Sequence, residues 1–357
     1  MARRNENGVT IRAVAQRAGV SAMTVSNVIN GAGRASAATV ANVQAAIAEL
    51  GYVPNLAARQ LAKSRTTVGL LYSNRRTPFL DAVLVGALRA TNAHGLQLIL
   101  RDGDGVSREE AERMAQDLVR SGADALLLIP PFAEQLSGSD ILSTLGVPLA
   151  AIATGTAMSG VTTVRIDNQA AMFSIAQKVI ANGHRRIAYV AGPEHYSVVG
   201  ARLDGFQAAL RSAGLPEEAD LIVRHGEFDY ESGKAAARKL LSLHDRPTAI
   251  ICSSDDLAAG VVAQANHMGL QLPMDLTVTG FDDTILASRI WPPLTVVQQP
   301  VEEMAFRAAQ CLIAALGKDE PNVSDEIFDH VIVERESIAH SRTKSGKIEP
   351  WKQADAN

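Results

Sequence analysis

The sequence has only two cysteines and no apolar run of membrane-spanning length. Cys252 and Cys311 lie far apart within apolar segments, so they form neither a disulfide framework nor a metal-ligand spacing. We expect both to be small core residues. The first residues do not combine basic, apolar and small-residue regions as a secretion signal does. Together these absences predict a cytoplasmic protein without a membrane partner.

Signatures of common enzyme classes are also missing. The sequence has no P-loop, no Gly-x-Gly-x-x-Gly after a predicted strand and no Gly-x-Ser-x-Gly elbow. The run 102–105 resembles the opening of a calcium loop, but Arg113 stands at the twelfth position, where a bidentate glutamate is needed. The aspartate pairs 255–256 and 282–283 lack an accompanying histidine, cysteine or lysine. His184, in a predicted helix-to-strand turn, fits a structural role better than that of a base. We therefore expect no catalysis, metal or cofactor.

Charge is distributed unevenly along the 357 residues, a length that allows two or three domains. Residues 1–65 contain eight basic and two acidic side chains, a net charge of +6. Because the whole chain carries −4, the remainder carries −10. A basic end on an acidic body is typical of a protein that touches nucleic-acid phosphates with that end. The alternative is a solvated surface where like charges cluster by chance.

The segment 9–30 predicts two short helices joined by a glycine turn. Thr10 and Ser21 can cap the two helices, and Gly19 can end the first in a left-handed conformation. The outer face of the second helix carries the side chains that a recognition helix would present to base edges: Ala22, Met23, Ser26 and Asn27. The alternative is a structural pair of helices, which is common in proteins.

Two further segments extend this pattern. An amphipathic helix from Ser36 to Gly51 could complete a small three-helix core. After it, 56–63 is helical in composition but too short to be stable alone, so it should fold only against a partner.

The sequences TIRAVAQRAGVSAMTVSNVIN and ELGYVPNLAARQLA resemble the headpiece and hinge of the lactose-repressor (LacI/GalR) family of bacterial transcription regulators. The resemblance continues through most of the chain. It implies that the hinge helices of two subunits pair in the minor groove, where Leu61 would wedge open the central base step. Asn27 stands where the family usually has a guanine-reading arginine, and asparagine can pair with adenine. Four further residues are expected to contact phosphates: Thr10, Ser21, Thr24 and Asn30. Two further contacts are expected in the hinge, from Asn55 and Ala58.

From Val68 onward, short apolar strands alternate with helices, which predicts parallel βαβ units. The alternation restarts near Asp167 and so predicts two doubly wound lobes. The crossings between them resemble the type I periplasmic-binding-protein fold that the family uses for its effector domain. The predicted divisions are a helix-turn-helix headpiece, a hinge and linker, a two-lobed effector and dimerisation domain and a disordered tail: 1–54, 55–66, 67–340 and 341–357. Lobe one is predicted to comprise 67–164 and 296–324, and lobe two 165–295 and 325–340.

Ligands of open α/β sheets bind beyond the carboxyl ends of the strands, and two facing lobes place two such edges around one cleft. The resemblance implies that Arg202 reaches effector hydroxyls or carboxylates, that Asp282 accepts from hydroxyls and that Phe228 stacks on the ligand. Ser254 is a departure, because SSDD stands where the family usually has SNDD and a hydroxyl replaces an amide. Asn74 and Phe79 complete the expected site. Alternatively, the aspartates cap helices or loops and Phe228 belongs to the core.

These patterns predict a homodimeric, sequence-specific DNA-binding regulator, a repressor of a palindromic operator that is switched allosterically by a small effector. A sugar is the expected effector and a nucleobase is the alternative. Two other classes stay open: a sugar receptor of the same fold without a DNA role, and a two-lobed α/β enzyme. A dimer is preferred to a tetramer because the tail has no evident heptad run.

Overall fold

A computed structural model describes residues 10–30, 36–50, 66–73, 78–103, 107–224, 226–318 and 322–341, but not the side chains of Ser26, Ile29 and Asn30. The chain divides into two units, Met1–Arg65 and Thr66–Asn357. Apart from Thr66 and Ser341, the predicted hinge and tail lie outside the described residues.

The first unit contains three helices: α1 (Ile11–Ala18), α2 (Ala22–Asn30) and α3 (Ala37–Leu50). Thr10 caps α1, since its Oγ1 accepts from the amide of Ala13 at 3.3 Å. Gly19 ends α1 with φ +68°, a conformation that costs glycine little. The three helices enclose a small core of mostly β-branched and small side chains: Val14, Ala15, Val25, Val43 and Ala46.

The second unit contains two six-stranded sheets. The first has the strand order β11-β5-β4-β3-β1-β2, and the second has the order β12-β10-β9-β8-β6-β7. The strands are β1 (Thr67–Tyr72), β2 (Gln97–Asp102), β3 (Ala125–Leu128), β4 (Leu149–Ile152), β5 (Thr162–Ile166), β6 (Ile187–Val190), β7 (Ile222–Val223), β8 (Ala249–Cys252), β9 (Thr277–Asp282), β10 (Thr295–Gln298), β11 (Asp325–Phe328) and β12 (Val331–Val333).

Helices follow most of the strands, as expected for parallel sheets. They are α4 (Pro78–Ala93), α5 (Arg108–Arg120), α6 (Phe132–Leu136), α7 (Ile141–Thr144), α8 (Asn168–Ala181), α9 (Ser197–Ser212), α10 (Tyr230–Leu241), α11 (Asp255–His267), α12 (Ile285–Arg289) and α13 (Val301–Ala315), with a 3₁₀ turn at Ala219–Leu221. Among the described strand pairs, β10 and β12 are antiparallel and the others are parallel.

The assignment of the last strands to lobes differs from the prediction. β10 was predicted to begin the return to lobe one, but it pairs with β9 in the sheet of lobe two. β11 was predicted in lobe two, but it pairs with β5 in lobe one. The single strand expected near 328–334 is two strands, separated by Asp329 and His330. A short apolar strand carries no sequence feature that selects one of two sheets, because backbone hydrogen bonds form the pairing.

The chain therefore crosses between lobes three times. It leaves lobe one after β5, returns after β10 through α13, and crosses again between β11 and β12. Helix α13 packs against α4 and against β3, β4 and β5, so the return is anchored in the core of lobe one. The predicted structural role of His184 is confirmed, since its ring nitrogens lie 2.9 Å from Thr248 Oγ1 and 2.9 Å from the carbonyl of Ala339.

Candidate functional site

Helix α2 presents the side chains expected to read DNA. Met23 is 70% exposed and Asn27 is also exposed, while Ala22 is partly covered. Val25 faces inward and is fully buried. Met23 and Asn27 therefore carry no packing role comparable to that of Val25. The outer face of α2 is free to meet base edges, the position that a recognition helix requires.

Two of the predicted phosphate contacts have structural roles in the described residues. Ser21 caps α2, because its Oγ accepts from the amide of Thr24 at 3.1 Å and lies 2.9 Å from Thr24 Oγ1. Thr10 caps α1 in the same way. Capping does not use every lone pair of a hydroxyl, so a phosphate contact stays a prediction for both. The side chains of Ser26 and Asn30 and the whole of Asn55, Ala58, Leu61 and Asn74 lie outside the described residues.

In the second unit, a cleft lies between the two lobes. Lobe one supplies a mostly apolar wall, formed by Ser73, Phe79, Leu80, Ile129, Pro130, Pro131 and Ala153. The opposite wall carries the charged and polar groups, and its residues are Tyr196, Val198, Arg202, Phe228, Ser254, Asp256, Asp282 and Gln299. Five of the six predicted effector residues line this cleft, and the sixth, Asn74, lies outside the described residues.

Arg202 is the most constrained of these side chains. It extends from α9, is only 4% exposed, and its Nε donates to Asn168 Oδ1 at 2.8 Å. One terminal nitrogen donates to the carbonyl of Ser253 at 2.6 Å, and the other lies 3.7 Å from Asp282 Oδ1. The guanidinium also stacks over Phe281, 3.6 Å from the ring centre. The side chain is thus held in one orientation before any ligand arrives.

Asp282 ends β9 with φ +106°, an unusual backbone conformation for a non-glycine residue. Its Oδ1 accepts from Gln299 Nε2 at 2.6 Å. Burial raises its pKa to about 6, against the opposing effects of Arg202 and of the Gln299 hydrogen bond. At neutral pH the carboxylate is therefore mostly ionised and can accept hydrogen bonds from a ligand.

Ser254 and Asp255 organise the start of α11. Ser254 lines the cleft, yet its Oγ also caps the helix by accepting from the amide of Leu257 at 3.3 Å. Asp255 is buried, and its Oδ2 accepts from the amide and the hydroxyl of Thr284 at 2.6 and 2.9 Å. Its other oxygen fits against Gly280, where a Cβ would not fit. Asp255 therefore ties α11 to the loop after β9 and is not a cleft residue.

Two predicted aromatic residues lie on opposite walls. Phe228, from lobe two, contacts Tyr196 edge to face with ring centres 5.4 Å apart. Gly192 makes room for the Phe228 ring, since a Cβ there would lie 2.7 Å from its Cδ1. Phe79 approaches from α4 of lobe one. A planar ligand or the flat face of a sugar could therefore contact aromatic rings on both walls.

The sequence-based set missed four lining residues of lobe two: Tyr196, Val198, Asp256 and Gln299. Gln299 directly follows β10, so the strand-end rule would have found it if β10 had been placed in lobe two. Asp256 belongs to the same SSDD run as Ser254 and projects from the first turn of α11. Burial, together with the charge of Asp229, raises the pKa of Asp256. It adds a second carboxylate to the cleft.

Comparisons with known proteins agree with this architecture. Residues 10–55 match the lacI family of bacterial regulatory proteins. The transcriptional regulator CelR of Thermobifida fusca is 36% identical over 316 residues, which cover 85% of this chain and 91% of that protein. The chain belongs to the lacI family. Another relative in this family, the ribose operon repressor of Escherichia coli K12, is 34% identical over 308 residues, covering 85% and 92% of the two chains.

Solved structures confirm the fold predicted for this lacI-family chain. A CelR–cellobiose complex is 33% identical with a TM-score of 0.68 and covers 92% of this chain and 99% of that one. The lac repressor dimer bound to operator and the anti-inducer ONPF has a TM-score of 0.77 at 24% identity, covers 93% and 100%, and shows the fold alone. Residues 176–338 also match a periplasmic binding protein-like domain.

Membership of the lacI family identifies the chain as a DNA-binding transcriptional regulator, as predicted. The family consists of regulatory proteins rather than enzymes. Within the described part of the chain, helices are too short or too polar to cross a membrane.

Proposed function

We propose that this lacI-family protein represses transcription by binding a palindromic operator as a homodimer, and that a sugar bound in the cleft changes its operator affinity. The observation that carries the effector proposal is that charged groups and aromatic rings line the same cleft. Arg202 can donate and the carboxylates of Asp256 and Asp282 can accept, while Phe79 and Phe228 offer flat apolar faces. Ring hydroxyls and ring faces of a sugar match these two kinds of surface.

The relatives support the same chemical class. The CelR structure described above holds cellobiose, and CelR covers most of this chain. A nucleobase is the second candidate, because three aromatic rings line the cleft and could stack on a planar base. The two carboxylates favour the sugar, since they provide acceptors for several hydroxyl donors at once.

We propose that the outer face of α2 reads the operator. Asn27 would pair with adenine, Met23 and Ala22 would contact a thymine methyl group, and Ser26 would complete the contacts to base edges. Thr10, Ser21, Thr24 and Asn30 would contact phosphates. Asn55, Ala58 and Leu61 would form the hinge contacts in the minor groove, with Leu61 inserted at the central step.

Exposed apolar side chains support the homodimer. Val85, Leu88 and Leu100 are exposed on α4 and β2 of lobe one, and Ile285 and Trp291 are exposed on lobe two, Trp291 by 74%. Val85 and Leu88 are three positions apart and so share one face of α4, which makes that face a candidate association surface. Sedimentation velocity at micromolar protein should give the mass of two chains, and a monomer would contradict this part of the proposal.

The two activities would be coupled through closure of the cleft. An effector that binds the closed form more tightly than the open form increases the fraction of closed molecules. That increase would alter the pairing of the hinge segments on DNA. The proposal includes no turnover of the ligand. Steady product formation that Asp282→Ala abolishes would instead indicate an enzyme. The site of action would be operator DNA in the cytoplasm.

The test is operator selection from random duplexes with the purified protein, repeated with a panel of sugars and nucleobases. We expect an enriched palindrome whose binding one sugar releases or tightens. Leu61→Ala should weaken operator binding and leave effector affinity unchanged. No enrichment at low salt, with a compound still bound, would favour a ligand receptor without a DNA role.

A further inference from the structure

Beside the cleft, one hydroxyl of lobe two is held by two groups of lobe one. Ser197 is the first residue of α9, and its Oγ donates to Glu134 Oε1 of α6 at 3.1 Å. The same Oγ accepts from the amide of Gly155, in the loop after β4, at 2.8 Å. One serine hydroxyl thus uses its donor and an acceptor lone pair to join two separate segments of the opposite lobe.

The backbones of the two lobes touch at this point. A Cβ on Gly155 would lie 2.8 Å from the amide nitrogen of Val198 and would also collide with the carbonyl of Ser197. Glycine is therefore needed for the lobes to approach this closely. An opening of the cleft that moves α9 away from lobe one would separate Ser197 from Gly155 and Glu134, which both belong to lobe one.

The contact includes a largely buried carboxyl group. Glu134 Oε2 is buried and has no hydrogen-bond partner among the described residues. Burial raises the pKa of Glu134 to about 7, although the hydrogen bond from Ser197 lowers it. An unpaired, buried carboxylate oxygen is costly when the group is charged.

Charged and titratable groups also lie on the segments that pack against this contact or lead into it: Arg108 and Glu112 of α5, and Glu194 and His195 shortly before α9. On lobe one, Arg108 of α5 donates to the carbonyl of Ser137, and Glu112 accepts from Ser139. On lobe two, the rings of His195 and Tyr196 contact each other with centres 4.5 Å apart. The hydrogen bonds to the Glu134 carboxyl group come from Ser197 and from the backbone amide of Glu134 itself.

We propose that Ser197, held by Glu134 and Gly155, is an interlobe latch that sets the balance between open and closed clefts before any effector binds. None of the three residues lines the cavity, although Tyr196 and Val198, on either side of Ser197, do. They are positioning residues rather than ligand contacts. The consequence for effector affinity rests on the proposed function, whereas the latch itself is a property of the effector domain alone.

The latch links closure to proton uptake. Burial raises the pKa of Glu134 in the arrangement seen here, and separating the lobes would expose the carboxyl group to water and return its pKa toward the ordinary value. The closed form therefore binds the proton more tightly, so it is favoured as pH falls through about 7 and disfavoured as pH rises. For one proton, the closed-to-open ratio changes by at most about tenfold per pH unit.

The experiment measures lobe separation in the full chain without effector or DNA. Spin labels on Arg113→Cys of α5 and Lys239→Cys of α10, both exposed positions, report the distance between lobes by double electron–electron resonance. A Cys311→Ser background removes the partly exposed native thiol. The series runs from pH 5.5 to pH 8.5. We expect the closed fraction of the otherwise unaltered protein to rise as the pH is lowered.

Three variants test the assignment. Ser197→Ala should lower the closed fraction at every pH, because both lobe-one partners lose the hydroxyl. Glu134→Gln should stay closed at pH 8.5 and lose most of the pH response, because the amide is neutral. Glu112→Gln is the matched control, since Glu112 bonds within lobe one, and it should behave like the parent protein.

Two outcomes would overturn the latch. One is a distance distribution that is the same in the parent protein and in Ser197→Ala. The other is an undiminished pH response in Glu134→Gln, which would assign the proton to another group such as Asp282. Neither measurement uses a ligand, so a failure of the sugar proposal would leave the latch result intact. A failure of the latch would likewise leave the sugar proposal intact.

Discussion

The proposed recognition helix α2 and the proposed effector cleft differ in how deeply their side chains are buried. Met23 is 70% exposed, so its side chain contributes little to the packing of the headpiece. Arg202 is 4% exposed and joins Asn168, Ser253 and Asp282. The side chain of Met23 therefore has no structural role like that of Arg202, which would both bind the effector and hold the cleft together. A substitution at Met23 should therefore change DNA affinity without changing stability. A substitution in the cleft should change both effector affinity and stability.

Arg202→Ala should show the largest mixed effect. It removes the positive charge beside Asp282 and leaves Asn168 and the Ser253 carbonyl without their donor. Breaking a buried ionic contact costs about 3 kcal/mol of unfolding free energy, and the effector response should be lost while operator binding is kept. Urea denaturation and calorimetric titration measure the two effects.

Arg165→Ala is the control for that comparison. Arg165 forms a two-pronged ion pair with Asp325 at the edge of the lobe-one sheet, outside the cleft. It should alter stability by less and leave effector affinity unchanged. An Arg202→Ala protein with normal effector response would remove Arg202 from the site.

Asp282 should make effector binding depend on pH. Its pKa is about 6 in the folded protein, so the carboxylate becomes protonated and loses acceptor capacity as pH falls below that value. Affinity should therefore decrease below pH 6, by at most about tenfold per pH unit. Titration calorimetry from pH 5 to pH 8 measures the affinity. A Glu134→Gln background removes the contribution of Glu134 to the pH dependence. Asp282→Asn should bind more weakly with a flat pH profile; a profile identical to that of the parent protein would contradict this assignment.

The two regions also differ in how far the sequence predicts them. The caps Thr10 and Ser21, the left-handed Gly19 and the exposed Met23 follow from local rules, because a helix-turn-helix is formed by neighbouring residues. In the cleft, Arg202, Phe228, Ser254 and Asp282 were expected from motifs, but Gln299 was missed. Its position depends on which sheet receives β10, and that is decided by contacts between distant residues.

The Glu134–Ser197 contact shows the same limit. Glu134 lies in a helix of five residues that the sequence did not predict, and Ser197 lies 63 positions later. Neither residue belongs to a motif. Their meeting follows from the fit of Gly155 against α9, which only the folded arrangement of the two lobes reveals.

Ser254 offers an intermediate case, because it both lines the cleft and caps α11. Ser254→Ala should cost about 1 kcal/mol of unfolding free energy through loss of the cap. Ser254→Asn keeps a capping side chain and restores the amide expected from the family motif, so stability should be nearly unchanged while effector preference shifts. Denaturation and a sugar panel measure both. Equal stability of the two variants would show that the cap contributes nothing.

Met23→Ala should have the smallest effect on stability and so gives the sharpest contrast with Arg202. Its exposed side chain loses little buried surface, so the free energy of unfolding should change by less than about 0.5 kcal/mol. Operator affinity should nevertheless fall, and only for sequences with a thymine at the contacted position. Ser21→Ala, two residues away, is the informative partner, because it removes a cap and should cost about 1 kcal/mol. If Met23→Ala destabilised the headpiece as much as Ser21→Ala does, α2 would be a packed structural helix, and its outer face would not be free to read DNA.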